Sequence, residues 1–558
     1  MACYEPSESR LKCFLHYGSE DRLYVPASSV KTTFDVSKLR SVADILSNEE
    51  AAKNIVPLIV KVFRGGYSVE PSASLFALAL VVRKAKKNYK VVNEAYKAAR
   101  KISEDNGEYF LTFTRYLREI AQTEEKKGFG KGWRVSVQKW YDSKDAMQLA
   151  QMVTKAYSIM NWSHKDILAL SRMKLPNDTA KAAVMCYVSK GYEAAVTKYS
   201  NVAEAKPVLE FLKSVDQIRR SETESVLINS INVHDFSIEY CPSRFFKSHE
   251  VWLALIPRMS IDCLLSNINR MSKLKLFRHR DVVREVVSRF QRSDVIDVNI
   301  HPIYVYILRK RYELGPNLAI EFQYIQRRRA IENSMERGDD NSIQGDIDQQ
   351  VQRQPPPRRI PEIMECLTTL FNKSLALLAP TGLRYLIALD SQAAMESRVC
   401  YKERFVTVEE AASLVALCVI KAESESNVKL VTFTKEDSGV KEIPINKAEE
   451  TLEGIKNKIN RAESGPASLP QLIKWATSKQ EAFDVIILLS DHSLVATGSY
   501  DALKTYRQKV SDKAKIITCS FSGLHKKYKE LIKQDMFFIC GFDKNVGRLI
   551  EAYSRGAF

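Results

Sequence analysis

The stretch FDVIILLSD, Phe483 to Asp491, sets five consecutive aliphatic residues, Val485 to Leu489, between polar ends. A run this short, aliphatic and rich in β-branched residues suits a strand buried on both faces, as strands of a parallel sheet covered by helices are. Four similar runs share its part of the chain: RYLIALD (384–390), VKLVTFT (428–434), KIITCSF (515–521) and MFFICGF (536–542). Between them the apolar period lengthens to that of a helix, at Val408–Ala422, Ala448–Ala462, Leu469–Ser478 and Tyr500–Val510. Repeated alternation of strand and helix predicts a doubly wound parallel sheet over residues 376–558. Such sheets take ligands beyond the carboxyl ends of their strands, where Asp390 and Asp491 stand.

Working outward toward the N-terminus, the period changes. Leu75, Leu78, Ala79 and Val82, then Val92, Ala95, Tyr96 and Ala99, recur at helical spacing, and few runs before residue 327 read as strands. Repeated amphipathic helices with short polar breaks predict an all-α domain of stacked helix pairs over residues 1–375. Within it, residues 327–361 (RRRAIENSMERGDDNSIQGDIDQQVQRQPPPRRIP) hold almost no large apolar residues. That composition buries too little surface to offset ordering entropy, so a disordered insertion is expected there. A chain of 558 residues, 45% hydrophobic and 27% charged, accordingly reads as a soluble protein of two or three domains.

Several classes are disfavoured. The longest largely apolar run, Ala411–Ile420, is shorter than the roughly 18 residues a membrane span needs, and the start MACYEPSESR is too polar for a signal peptide. No membrane association is expected, and a cytoplasmic location, extending to the nucleus, is. The ten cysteines form no CxxC pair, as suits reduced thiols. No GxxxxGK[ST], HExxH or GxSxG motif is present, so the chain reads as a non-enzyme.

Charge is more informative. Of the formal +17, residues 1–375 carry 58 Lys and Arg against 44 Asp and Glu, while residues 376–558 carry 26 against 23. Residues 126–174 concentrate the excess, with ten Lys or Arg and three Asp interleaved with Phe129, Trp133, Trp140, Tyr141, Tyr157 and Trp162. Cations among flat rings suit a surface that neutralises phosphates and stacks bases. Trp133, Val137 and Trp140 share one helical face that reads as core, while Lys127, Lys131 and Arg134 fall at i, i+4 and i+7 on another. Ser163 followed by Asp166 is a capping-box pattern that puts His164 and Lys165 in the first turn of a helix, with a phosphate site expected at its N-terminus. For His164, RNA contact and a structural role weigh equally. The groups at 278–292 and 309–311 suit either an RNA channel or a solvated helix face.

The two strand-end aspartates resemble those of the von Willebrand factor A fold. Its metal-ion-dependent adhesion site has Asp-x-Ser-x-Ser after the first strand, a Thr on a later loop and an Asp ending a central strand. Here the first motif reads Asp390-Ser391-Gln392-Ala393-Ala394 and the Thr loop reads Ser464-Gly465-Pro466-Ala467. No cofactor is expected to be required; magnesium is the one candidate, with Asp390 and Asp491 as a remnant site that lacks its hydroxyl ligands.

FLHYGSEDRLYV (14–25), FGKGWRVSVQKWYDSKDAMQLAQMVTKAYSIMNWSHKDILALSRMKLP (129–176), SHEVWLALIPRMS (248–260), NIHPIYVYIL (299–308), PTGLRYLIALD (380–390) and FFICGFD (537–543) resemble, in order, the Ro ribonucleoprotein family of TROVE-domain proteins. The resemblance implies a ring of HEAT-like helical repeats closed by a von Willebrand A domain. It implies a noncatalytic, monomeric RNA-binding protein of a small cytoplasmic ribonucleoprotein. Its partners would be Y-type small RNAs and the single-stranded 3′ ends of misfolded noncoding RNAs, in an RNA-chaperone or quality-control role. Family basic positions fall on Lys131, Arg134 and Lys155, and Lys174 keeps a cation near another. Ile159 replaces a family arginine and Arg172 a family histidine. The rival reading is a protein-interaction scaffold whose von Willebrand A domain binds protein partners.

Overall fold

All five apolar runs are strands in the computed structural model of the chain, which describes residues 6–26, 33–85, 87–125, 128–155, 158–292, 300–314, 360–435, 439–459, 463–491, 498–523 and 536–558. In chain order the strands are β1 (Leu23–Tyr24), β2 (Ser158–Ile159), β3 (Trp162–Ser163), β4 (Tyr385–Leu389), β5 (Val428–Phe433), β6 (Val440–Ile443), β7 (Val485–Ser490), β8 (Lys515–Ser520) and β9 (Phe537–Cys540). Two compact units divide the chain. Met1–Arg22, Ala27–Arg258 and Gly556–Phe558 make the first; Leu23–Pro26 with Met259–Arg555 make the second.

The second unit holds a seven-stranded sheet in the order β1-β9-β8-β7-β4-β5-β6, parallel except where β6 runs antiparallel to β5. Every residue of β4 and β7 is buried, because helices cover both faces. Leu386, Ala388, Ile486 and Leu488 pack into one cluster with Leu472 and Ile473 of helix Leu469–Lys479 and Leu503 and Tyr506 of helix Ser499–Lys509. Helix Val408–Ala422 packs on β4, β5 and β7 and begins with a capping box between Thr407 and Glu410. Each fully buried Ile or Leu on these faces contributes about 1.5–3 kcal/mol. The expected helix at 448–462 is shorter, Leu452–Asn457.

Two strands of this sheet lie outside the expected set. β6 has only its end residues buried, a pattern too short to read as alternation. β1 is two residues from the N-terminal part, paired in parallel with β9, Leu23 opposite Phe538 and Tyr24 opposite Ile539. A side-chain cluster fixes this pairing. The Tyr24 hydroxyl donates to Asp543 Oδ2 at 2.7 Å, and Asn545 donates its side-chain amide to both and its backbone N–H to Asp543 Oδ1. Burial pushes the Asp543 carboxyl above the usual range, and these donors oppose that shift.

The first unit is helical, with neighbours in sequence packed as neighbours in space. Helix Pro71–Lys84 packs on Tyr89–Ile102 and on Gly107–Thr123, Gly130–Asp142 packs on Tyr89–Ile102, and Ala146–Lys155 packs on Thr179–Lys190 and Lys206–Arg220. Asn48, Asn88, Asn106 and Asp178 cap helix starts through their side chains, each satisfying orphan N–H groups. The small antiparallel hairpin of β2 and β3 interrupts an otherwise all-α unit. No helix among the described residues is long and apolar enough to cross a membrane. The expected insertion at 327–361 lies outside the described residues except for Ile360 and Pro361.

Removing the Tyr24 hydroxyl leaves a buried carboxylate one donor short. Tyr24→Phe is expected to cost about 1–3 kcal/mol, lowering the melting transition of the sheet-containing unit by several degrees in scanning calorimetry. An unchanged transition would mean that β1 does not depend on this cluster.

Candidate nucleic-acid interface

The basic segment is mounted on its own aromatic residues. Gly128 and Gly130 take left-handed φ of 84° and 83°, and helix Gly130–Asp142 starts at the second of them. Arg83, buried beneath, donates to the Leu117 and Gly128 carbonyls and holds the entry to this helix. Gly132 lets the helix approach its neighbour, because a Cβ there would come within 2.9 Å of the Tyr96 ring. Trp133, Val137 and Trp140 are all buried, as the helical spacing predicts. Phe129 stacks on Trp133 at 4.0 Å and meets Trp162 edge-on, while Phe110 stacks on Trp140 at 4.4 Å. The rings of helix Gly130–Asp142 are core, so they do not form a base-stacking platform.

That inward face turns the cations outward. Lys131 and Arg134 are exposed on the helix, Lys155 ends helix Ala146–Lys155, and Lys165, Arg172 and Lys174 are exposed in and after helix His164–Ser171. None of these six forms an ion pair or side-chain hydrogen bond among the described residues. Lys127 lies outside the described residues. Lys144 departs from its basic neighbours: it is buried, its ammonium 5.1 Å over the Trp140 ring, and burial pulls its pKa down.

Residues 158–172 are built by local rules. Met160 and Asn161 both take positive φ, making the two-residue turn between β2 and β3. Ser163 then opens helix His164–Ser171 with a capping box: the Asp166 N–H donates to Ser163 Oγ and the Ser163 N–H donates to Asp166 Oδ2 at 2.9 Å. Arg172 closes it in the left-handed conformation, its cation suited to the negative end of the helix. The cap corrects one expectation. Asp166 places a carboxylate where the helix N-terminus would attract a phosphate, leaving anion attraction to the lysines and arginines.

His164 is a second correction. Only 2% exposed, it lies parallel to Trp140 at 6.0 Å, with its Nδ1 2.7 Å from the Tyr141 hydroxyl. Burial lowers its pKa to about 4 and keeps it neutral. It braces the helix from beneath and is out of reach of a ligand on the surface. Two further features had no local sequence signal. Arg219 donates to the Thr154 carbonyl and the Tyr187 hydroxyl, fixing the helix end that carries Lys155 from 64 residues away. Met160, Leu170 and Leu175 are exposed beside the cations, Leu175 by 58%. Elsewhere, Lys310 pairs with Glu410 at 2.7 Å and Arg311 with Glu403, so two of the cations at 309–311 are committed to structure.

The strand-end carboxylates are also committed. Asp390 accepts from the Ser490 hydroxyl at 2.8 Å and from the Gln392 N–H at 3.0 Å. Asp491 accepts from Ser522 and forms an ion pair with the Arg398 guanidinium. Ser391 donates to the Phe433 carbonyl and to Ser464, and Gly465 lies against Thr434 where a hydroxyl-bearing side chain has no room. Among the described residues no group of three or more His, Cys, Asp or Glu is placed to hold a metal ion. Two occupied carboxylates, one of them facing a guanidinium, do not fit the six-oxygen octahedral shell magnesium demands.

A family model described as the TROVE domain matches residues 31–313, and one described as the Ro60 vWA domain matches residues 384–554. A Caenorhabditis elegans protein named RNA-binding protein RO60 is 22% identical over 494 residues, covering 80% of this chain and 70% of its own. A Deinococcus radiodurans protein of the same name is 22% identical over 555 residues, covering 98% and 93%. The crystal structure of the Deinococcus radiodurans RO (RSR) protein superposes with a TM-score of 0.78 at 20% identity, over 99% of this chain and 100% of that one, a likeness of fold. The sheet is therefore that of a von Willebrand A domain, with a helical region before it.

Two outcomes follow from the geometry. Ligand binding raises stability in proportion to RT ln(1 + [L]/Kd), so millimolar magnesium should scarcely move the melting temperature. A clear rise that Asp390→Ala abolishes would contradict the donor geometry. The buried His164 is neutral in the fold and has its ordinary pKa of 6.5 when unfolded, so its contribution is complete above pH 6.5 and is lost as pH falls toward 4. His164→Gln should therefore flatten the fall of unfolding free energy over that window by about one proton, or about 1.4 kcal/mol per pH unit. Equal slopes would show that the ring is not held neutral.

Proposed function

Because the chain belongs to the TROVE-domain family, we propose that it is a noncatalytic RNA-binding protein of a small ribonucleoprotein and that residues 128–174 are its interface with structured RNA. One observation carries this reading: six exposed cations, Lys131, Arg134, Lys155, Lys165, Arg172 and Lys174, have no acidic partner among the described residues, in a chain with 67 Asp and Glu. Unpaired cations on a rigid support gain most from phosphate, because counterion release adds to direct attraction. The relatives' name, RNA-binding protein RO60, supports the same partner. Lys127 belongs to the proposed set on sequence grounds, and His164 acts as a brace.

The finer reading is that Y-type small RNAs occupy this surface and that single-stranded 3′ ends of misfolded noncoding RNAs are also held, as in RNA quality control. Residues 1–375 would carry the RNA-binding domain and residues 376–558 the von Willebrand A domain, which would serve protein partners without a required metal. The protein would act as a monomer in the cytoplasm, with access to the nucleus. Arg172 for a family histidine keeps a donor that grips phosphate, whereas Ile159 removes one cation.

Reversing Lys155, Lys165 and Arg172 together to Glu should weaken binding of a small structured RNA strongly. The slope of log affinity against log salt should fall by about 0.7–0.9 for each phosphate that is no longer neutralised. A folded triple variant that binds as well as the parent would refute the interface. An RNA with an unpaired 3′ tail should bind more tightly than the same RNA trimmed blunt, and equal affinities would remove the 3′-end reading.

A further inference from the structure

Away from the basic segment, helices Glu49–Arg64 and Tyr89–Ile102 pack together and border an open groove of about 690 Å³. Its floor is aliphatic, formed by Val56, Pro57, Val60 and Ala98. Its rim carries Lys61 and Arg64 from one helix and Lys97 and Lys101 from the other, against a single carboxylate, Glu94. All four cations are exposed, and none forms an ion pair or side-chain hydrogen bond among the described residues. Lys61, Arg64 and Lys101 lie in last helical turns, where a cation offsets the helix dipole. The dipole does not account for Lys97, nor for apolar surface left open between the two cationic edges.

The chemistry of floor and rim selects the occupant. Single-stranded nucleic acid is held by cations together with flat rings on which bases stack, and no aromatic side chain lines this groove. An aliphatic trough edged by cations complements a helix with aliphatic residues at i, i+3, i+4 and i+7 and carboxylates on both flanks. Two adjacent helices also supply the ridge-and-groove surface on which a third packs. We propose that the groove between helices Glu49–Arg64 and Tyr89–Ile102 is a docking site for an acidic amphipathic helix of a protein partner. Its lining shares no residue with the RNA interface at 128–174.

The test uses the full chain and a fluorescein-labelled synthetic 18-residue peptide, with leucines at helical spacing and glutamates flanking them, read by fluorescence anisotropy. The parent is expected to bind this peptide, and Lys61→Glu, Lys97→Glu and Lys101→Glu combined should weaken it by about tenfold or more, because like charges then face each other. Lys97→Gln with Lys101→Gln, exposed changes that leave the helix intact, should shift affinity in the same direction. Affinity for small structured RNA should be unchanged in both variants, which separates failure of this site from failure of the RNA interface. Equal binding of a peptide with the same composition but scrambled leucines would overturn the proposal, as would a fluorescein-labelled polyuridine 20-mer that binds the parent and loses affinity in the same lysine variants. No binding by the parent would also overturn it.

Discussion

The buried stack of Phe110, Trp140 and His164 is the constraint on which the candidate interface rests. Phe110 and Trp140 lie nearly parallel, 2° apart, and His164 follows at 14° to Trp140, so three separate helices share one apolar column. Aromatic pairs of this kind add about 0.5–1.5 kcal/mol beyond the area they bury. The column fixes the rotation of helices Gly130–Asp142 and His164–Ser171 about their axes. Once the rings point inward, the helical period sends Lys131, Arg134 and Lys165 to solvent. The cations are thus presented by the core, through a geometry that costs no ordering of long loops.

Rigidity and charge play different roles around that column. Arg83, Lys144 and Arg219 are basic residues from the same region that are spent on structure: two hold carbonyls, and one sits over an indole. Lys131, Arg134, Lys155, Lys165, Arg172 and Lys174 carry no such engagement among the described residues. Counting basic residues treats these two groups alike, and only their partners separate them. At the strand ends of the sheet the same distinction runs the other way. Arg398, half exposed, meets Asp491 where the related fold admits a metal, so a guanidinium of the chain itself balances the carboxylate.

Much of this was legible in the sequence, for identifiable reasons. β4 and β7 were readable because burial on both faces demands an unbroken aliphatic run, and FDVIILLSD has no other stable home. Helix Val408–Ala422 was readable from its apolar period, and the capping box of Thr407 and Glu410 fixes its start. β1 was not, since two residues carry no period and its pairing with β9 depends on Asp543, some five hundred residues away. At the interface, the inward face of Trp133, Val137 and Trp140 and the capping box of Ser163 followed from spacing. The burial of His164 did not, because it depends on Trp140 and Tyr141 arriving from another helix. Nor did the use of Asp166 as a built-in anion, which the motif implies only once its geometry is considered.

Unpaired, rigidly mounted cations between residues 128 and 174 are proposed to grip RNA. Quantitative lysine acetylation of the full chain, with and without a saturating small structured RNA and read by mass spectrometry, would show which cations the RNA covers. Lys131, Lys155, Lys165 and Lys174 should lose reactivity in the complex, while Lys97 and Lys101 keep theirs. Unchanged reactivity at the first four lysines, with RNA demonstrably bound, would place the RNA elsewhere on the protein.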